Sequence, residues 1–153
     1  MLVQKAQDFA IERHKGQFYA EGDYFEKHVQ GVADSVNKAL SEKQGVGWVT
    51  FQETLAVAYL HDTVEDSDAT IDDIKTMFGN NIAEAVDAMT HREGEEYQVY
   101  ITRTLKNDMA RVVKYHDIMF NLNQTMVDSI HTNIGKRRVA KYMKALKQFS
   151  DYL

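Results

Sequence analysis

The stretch Leu55-Ala56-Val57-Ala58-Tyr59-Leu60-His61-Asp62-Thr63-Val64-Glu65-Asp66 decides how the chain is read. Its first half is an unbroken apolar run. That run extends back to Phe51, and Thr50 is the expected N-cap, with Glu53 three residues on as a capping box. The reading is therefore a buried helix. His61 and Asp62 follow it directly. Adjacent helical residues point about 100° apart, so this pair can grip one ion only at a helix edge or end. Glu65 lies one turn beyond His61, and Asp66 one turn beyond Asp62. Four groups able to bind a metal or move protons thus share about two turns. The plain alternative is a solvated acidic face, continued by Asp68, Asp72 and Asp73, acids that a helix N-terminus favours.

Outward from this segment the apolar residues keep a helical period. The first helix begins near Leu2 and closes at Arg13-His14. Val29, Val32, Ala33, Val36 and Leu40 form a one-faced helix. Thr70 and Asp73 form a second capping box before Ile74, Met77 and Phe78. Further stripes follow at Ile82, Ala85, Val86 and Met89, at Tyr97, Tyr100, Ile101 and Leu105, from Met109 to Leu122, and from Val139 to Leu153. No stretch alternates like a strand, and glycines, in the absence of any proline, mark the loops. The expectation is an all-α chain, one helical bundle of about seven to eight helices spanning residues 1–153.

The chain has 153 residues, enough for one domain with a real core. Its net charge is −5 with no basic block, which argues against duplex nucleic acid as a partner. There is no cysteine, so a disulfide framework, a thiolate zinc site and a cysteine nucleophile are excluded. The N-terminus has no apolar core of a signal peptide, and no run approaches the roughly 20 residues of a membrane span. A cytoplasmic location, with no membrane partner, is expected.

Two further segments carry chemistry. In Val112-Val113-Lys114-Tyr115-His116-Asp117-Ile118-Met119-Phe120-Asn121, one helix face presents Lys114, Asp117 and Asn121. A core-facing Asp117 needs a partner, either a metal or Lys114. His28 opens one helix and His14 closes another, and each is also readable as a structural histidine. Trp48, beside Gly45 and Gly47, is a candidate for an interface or for a cover over the core.

Taken in order, these segments resemble the hydrolase domain of the Rel/Spo alarmone enzymes and their small stand-alone relatives, a branch of the HD superfamily. The resemblance rests on His14-Lys15-Gly16-Gln17, on Phe25-Glu26-Lys27-His28, on His61-Asp62-Thr63-Val64-Glu65-Asp66, on Phe78-Gly79, and on Val113-Lys114 with Asp117 and Asn121. It covers approximately residues 5 to 150. It implies a single HD-type phosphohydrolase domain with one divalent metal, usually manganese, held by His28, His61, Asp62 and Asp117. Choosing His28 over His14 rests on the resemblance alone. It also implies that Glu65 and Asp66 orient or deprotonate the attacking water and that Asn121 contacts the nucleotide sugar. Lys114 and the cluster Lys136-Arg137-Arg138 would offset phosphate charge, with Arg137 the candidate contact.

The departures concern the substrate. Tyr19-Ala20 stands where the alarmone hydrolases carry an Arg-Lys pair, and Tyr24-Phe25 replaces their Pro-Tyr. Tyr19 can stack on a base, but Ala20 brings no charge. Arg92 is a candidate replacement, or else a helix C-terminal cation. The implied activity is hydrolysis of a phosphate or pyrophosphate ester of a nucleotide, with (p)ppGpp the first candidate. The alternatives are an HD nucleotidase acting on other (deoxy)nucleotides and a non-catalytic nucleotide- or metal-binding regulator. The chain ends soon after this segment, so no synthetase domain is expected.

Overall fold

The computed structural model describes residues 1–152. In chain order the elements are α1 (Leu2–Arg13), β1 (Phe18–Tyr19), β2 (Gly22–Asp23), α2 (Gln30–Glu42), α3 (Trp48–Leu60), α4 (Thr63–Asp66), α5 (Ile71–Phe78), α6 (Asn80–Met89), α7 (Tyr97–Thr104), α8 (Asp108–Asp128) and α9 (Asn133–Phe149). A π-helical turn, Phe25–Val29, opens α2, and a 3₁₀ turn, Ser150–Tyr152, follows α9. The fold is all-helical, as the apolar periodicity predicts. Leu153, the expected end of the last helix, lies outside the described residues.

α3 is the centre. Every residue from Thr54 to Leu60 is buried, and a helix that is apolar all round must be covered on every side. α1, α2, α6 and α8 supply that cover. The expected stripe on α2 is buried throughout, from Val29 to Leu40. A second, smaller core joins α7, α8 and α9 through Tyr100, Ile101, Leu105, Ile118, Ala145 and Phe149. α8 serves both, with Val113 in the first core and Ile118 in the second. Asp117 sits between them. α2 and α8 meet closely at Gly31, where an added Cβ would lie 2.4 Å from the Phe120 ring.

Three expectations are corrected. Thr50 does not cap α3, because the helix starts three residues earlier than expected, at Trp48, and Phe51 N–H already donates to the Gly47 carbonyl at 2.9 Å. Trp48 is 73% exposed and stacks on Phe51, so it extends the helix without covering the core. The Thr70–Asp73 capping box is present with both of its bonds. α9 begins six residues before Val139, at Asn133, because Thr132 accepts from Gly135 N–H as its cap. Finally, a two-residue antiparallel ribbon, β1 with β2, pairs Phe18 with Asp23 and Tyr19 with Gly22. It is too short to show alternation in sequence. Ala20 turns it with φ +52°, a left-handed conformation that costs an L-residue about 1 kcal/mol. Among the described residues no helix is long and apolar enough to cross a membrane.

Candidate metal centre and adjoining cleft

Three elements deliver four donors to one point. The end of α3 brings His61 and Asp62, the π-helical turn before α2 brings His28, and the middle of α8 brings Asp117. One ligand atom from each lies within 4.8 Å of all the others. His28 Nε2 is 3.0 Å from Asp117 Oδ1 and 3.3 Å from Asp62 Oδ2. His61 Nε2 is 3.1 Å from Asp62 Oδ2, 3.6 Å from Asp117 Oδ1 and 3.4 Å from His28 Nε2. All but Asp62 are buried, and Asp62 is nearly so.

The set fits a divalent ion. His61 Nδ1 lies 2.7 Å from the Ala58 carbonyl, which can only accept, so this nitrogen donates and Nε2 is free to present a lone pair. His28 is oriented by rings instead. Tyr19 stacks on it at 4.9 Å, and Phe120 meets it edge-on at 5.2 Å. Burial pulls both imidazoles down, but the Asp62 and Asp117 carboxylates outweigh it and leave both raised. Two carboxylates this close demand positive charge. Imidazole plus carboxylate suits manganese, iron, cobalt, nickel or zinc.

Lys114 anchors Asp117 from behind. Its Nζ donates to Oδ2 at 2.8 Å, and Asn121 Nδ2 donates to Oδ1 at 3.1 Å. The face predicted from spacing is therefore assembled as written. Burial pushes the Asp117 carboxyl up, but Lys114 and the histidines hold it well below its usual range.

Glu65 and Asp66 occupy α4 and line the same cavity of about 250 Å³ with Tyr24, Asp62 and Lys114. Glu65 accepts from His91 N–H at 2.5 Å. Arg103 fixes the loop that holds His91 by a two-pronged pair with Glu95 at 2.8 and 2.9 Å and by the Thr90 carbonyl at 2.8 Å. Burial raises the carboxyls of both Glu65 and Asp66, and the Asp62 charge adds to the effect.

His14 is buried but stands outside the cluster. Its Nδ1 meets Gln17 Oε1 at 2.8 Å, and Gln17 Nε2 donates to the Asp66 carbonyl at 2.6 Å. It braces the turn that carries Asp66.

Asn121, Lys141 and Tyr142 also line a neighbouring cleft of about 540 Å³ between the β-ribbon, the end of α8 and α9. Tyr19 lines it, and its hydroxyl donates to Asn121 Oδ1 at 2.8 Å. Arg138, Lys141 and Tyr142 line the opposite wall. Lys141 rests over the rings of Tyr97 and Tyr142 at 4.6 and 4.9 Å. Arg137 does not line this cleft, whereas its neighbour Arg138 does. Arg92 pairs with Asp87 at 3.3 Å on the surface. The sequence alone does not bring Lys141, Tyr142 and Tyr97 to this lining. A last helix starting at Val139 leaves Arg138 outside it and hides the i, i+3, i+4 alignment of Arg138 with Lys141 and Tyr142.

The fold and this cluster make an all-helical domain with a His-Asp pair at the end of a buried helix and a late Asp opposite, the arrangement that the resemblance to the HD type implies. Comparisons with known proteins agree. The chain is 33% identical over 123 residues to MESH1 of Danio rerio, named a guanosine-3′,5′-bis(diphosphate) 3′-pyrophosphohydrolase, covering 75% of this chain and 64% of that protein. It is 28% identical over 133 residues to an Aquifex aeolicus protein of the same description, covering 82% of this chain and 18% of that one. A solved structure of a metazoan SpoT orthologue, described as hydrolysing ppGpp, superposes with a TM-score of 0.70 at 19% identity, covering 96% and 94% of the two chains. No protein-family profile matches the chain. The chain is thus similar to Rel/Spo-type hydrolases, and it spans 64% and 18% of the length of these two relatives.

Proposed function

We propose that the chain is a metal-dependent phosphohydrolase, one cytoplasmic domain over residues 1–153, that removes pyrophosphate from the 3′ position of (p)ppGpp or a close relative. The convergence of His28, His61, Asp62 and Asp117 within 4.8 Å, three of them lining a cavity that shares Asn121, Lys141 and Tyr142 with the larger cleft, carries this reading. The names of the relatives support the substrate.

These four residues would hold one divalent ion, manganese being the first candidate. When bound, such an ion supplies Lewis-acid chemistry at a phosphoryl oxygen and lowers the pKa of water. Glu65 and Asp66 hold the attacking water and accept its proton, a task suited to carboxylates whose proton affinity burial has raised. The water oxygen bonds to the phosphorus next to the sugar, and the bond from that phosphorus to the 3′ oxygen breaks. The proton held by the carboxylates passes to the 3′ oxygen. Lys114 keeps Asp117 in place, while Arg138 and Lys141 offset phosphate charge. Asn121 contacts the sugar, and Tyr19 offers a ring to the base.

One observation favours a second reading, a nucleotidase acting on other nucleotides. Tyr19-Ala20 puts no cation on the ribbon side of the cleft, which leaves fewer charges for a bis-diphosphate.

The test is manganese-dependent turnover of ppGpp, pppGpp, NADPH and deoxynucleotides, with Asp62→Ala as control. Pyrophosphate release from ppGpp, lost with metal retention in Asp62→Ala or Asp117→Ala, is expected. Inorganic phosphate from a monophosphate would transfer the assignment to the nucleotidase. Tight binding without turnover would make the protein a regulator.

A further inference from the structure

Tyr24 follows β2, and its backbone N–H donates to the Gln17 carbonyl at 2.9 Å. Its hydroxyl donates to Asp62 Oδ2 at 2.6 Å. That is the same oxygen that faces His28 Nε2 at 3.3 Å and His61 Nε2 at 3.1 Å. A carboxylate oxygen has two lone pairs. Tyr24 occupies one and leaves the other aimed at the point where the imidazoles converge. The ring that carries the hydroxyl has little freedom, because it lies 5.0 Å from His14, 5.9 Å from Tyr19 and 5.3 Å from His28. His14 and Gln17 in turn tie this loop to the Asp66 carbonyl. A Pro-Tyr pair here, as in the alarmone hydrolases the chain resembles, would put no hydroxyl at position 24. Phe25, the neighbour, is packed into the core and carries none.

We propose that Tyr24 is a positioning residue, whose hydroxyl fixes the ion-facing oxygen of Asp62 and so sets the affinity of the metal centre. The inference rests on the metal reading given above. Residues that orient a metal ligand typically account for a 10–100-fold effect on affinity or activity.

The experiment measures Mn²⁺ affinity by isothermal titration calorimetry in the wild-type chain, in Tyr24→Phe and in a chain with 3-fluorotyrosine at position 24. Thermal unfolding of each is recorded without metal. Tyr24→Phe keeps the ring and removes the hydroxyl. Its metal-free unfolding midpoint should stay near wild type while its Kd for Mn²⁺ weakens on the order of 10-fold or more. Fluorotyrosine keeps donor and volume, so its Kd should stay within about twofold of wild type. Equal Mn²⁺ affinity in wild type and Tyr24→Phe would overturn the assignment, and so would a Tyr24→Phe chain that does not fold. Equal losses in the Phe and fluorotyrosine chains would place the effect in ring packing and also overturn it. A wild-type chain that binds no Mn²⁺ would instead sink the metal reading on which the inference stands.

Discussion

Asp117 and Lys114 are 4% and 8% exposed and touch at 2.8 Å, so each is the other's main compensation for leaving water. Such a pair adds little net stability, but removing one partner leaves a bare buried charge. Lys114→Met should therefore lower stability by on the order of 3 kcal/mol in urea unfolding and weaken metal retention, since Asp117 loses its anchor. Glu65 and Asp66 behave in the opposite sense. Their carboxyls are raised by burial, so the folded state holds their protons more tightly than the unfolded state. Their contribution to stability is present at low pH and is lost as pH rises through the raised folded values. Glu65→Gln should accordingly stabilise the metal-free chain at pH 7 more than at pH 4 in thermal melts. The same change should cut turnover by about 100-fold or more, the size of a lost general base. In the wild type, activity should fall on acidification at a pH above that of an ordinary carboxylate, near 4. An acidic limb at or below that value would argue against these two residues as the proton acceptors.

At the scale of elements, the approach of α2 to α8 connects packing to the site. Gly31 lets the Phe120 ring lie where a Cβ would come within 2.4 Å, and Phe120 also bounds His28 at 5.2 Å. Gly31→Ala should displace the ring, at about 1–3 kcal/mol of overpacking, and should lower Mn²⁺ affinity as His28 loses its wall. Wild-type affinity in a destabilised Gly31→Ala chain would show that Phe120 does not orient His28. The loop after α6 is a second connection. Its Arg103–Glu95 pair, which draws the Glu95 carboxyl down to about 2, holds the His91 amide against Glu65. Helix ends were the least legible elements. Thr70 and Asp73 formed the capping box that their spacing announces, whereas Thr50 and Glu53 share that spacing and form none. The difference lies in the backbone: Gly47 already occupies the cap of α3, so Thr50 falls inside the first turn.

For the whole molecule, an ion held where the segments leading into α2 and out of α3 meet α8 would be part of the folded state. Binding should stabilise the protein by about 2.7 kcal/mol when free Mn²⁺ is 100 times its Kd, seen as a rise in the thermal midpoint that Asp62→Asn abolishes. No rise at saturating Mn²⁺ would remove the ion from the fold. The helical class and the burial of α3 were legible in the sequence, because apolar periodicity is imposed locally by the 3.6-residue repeat. So were His61-Asp62 with Glu65-Asp66, and Lys114 with Asp117 and Asn121, since each set lies on a single segment. His28 was legible only by resemblance. Its spacing from His61 carries no geometric signal, and the packing of α2 on α3 alone separates it from His14. The hydroxyl of Tyr24 on Asp62, the cations of α9 across from Tyr19, and the place of Arg138 rather than Arg137 in the cleft lining were decided by tertiary structure. They join segments far apart in the chain, and which faces of those segments meet is set by how the helices pack rather than by any local pattern.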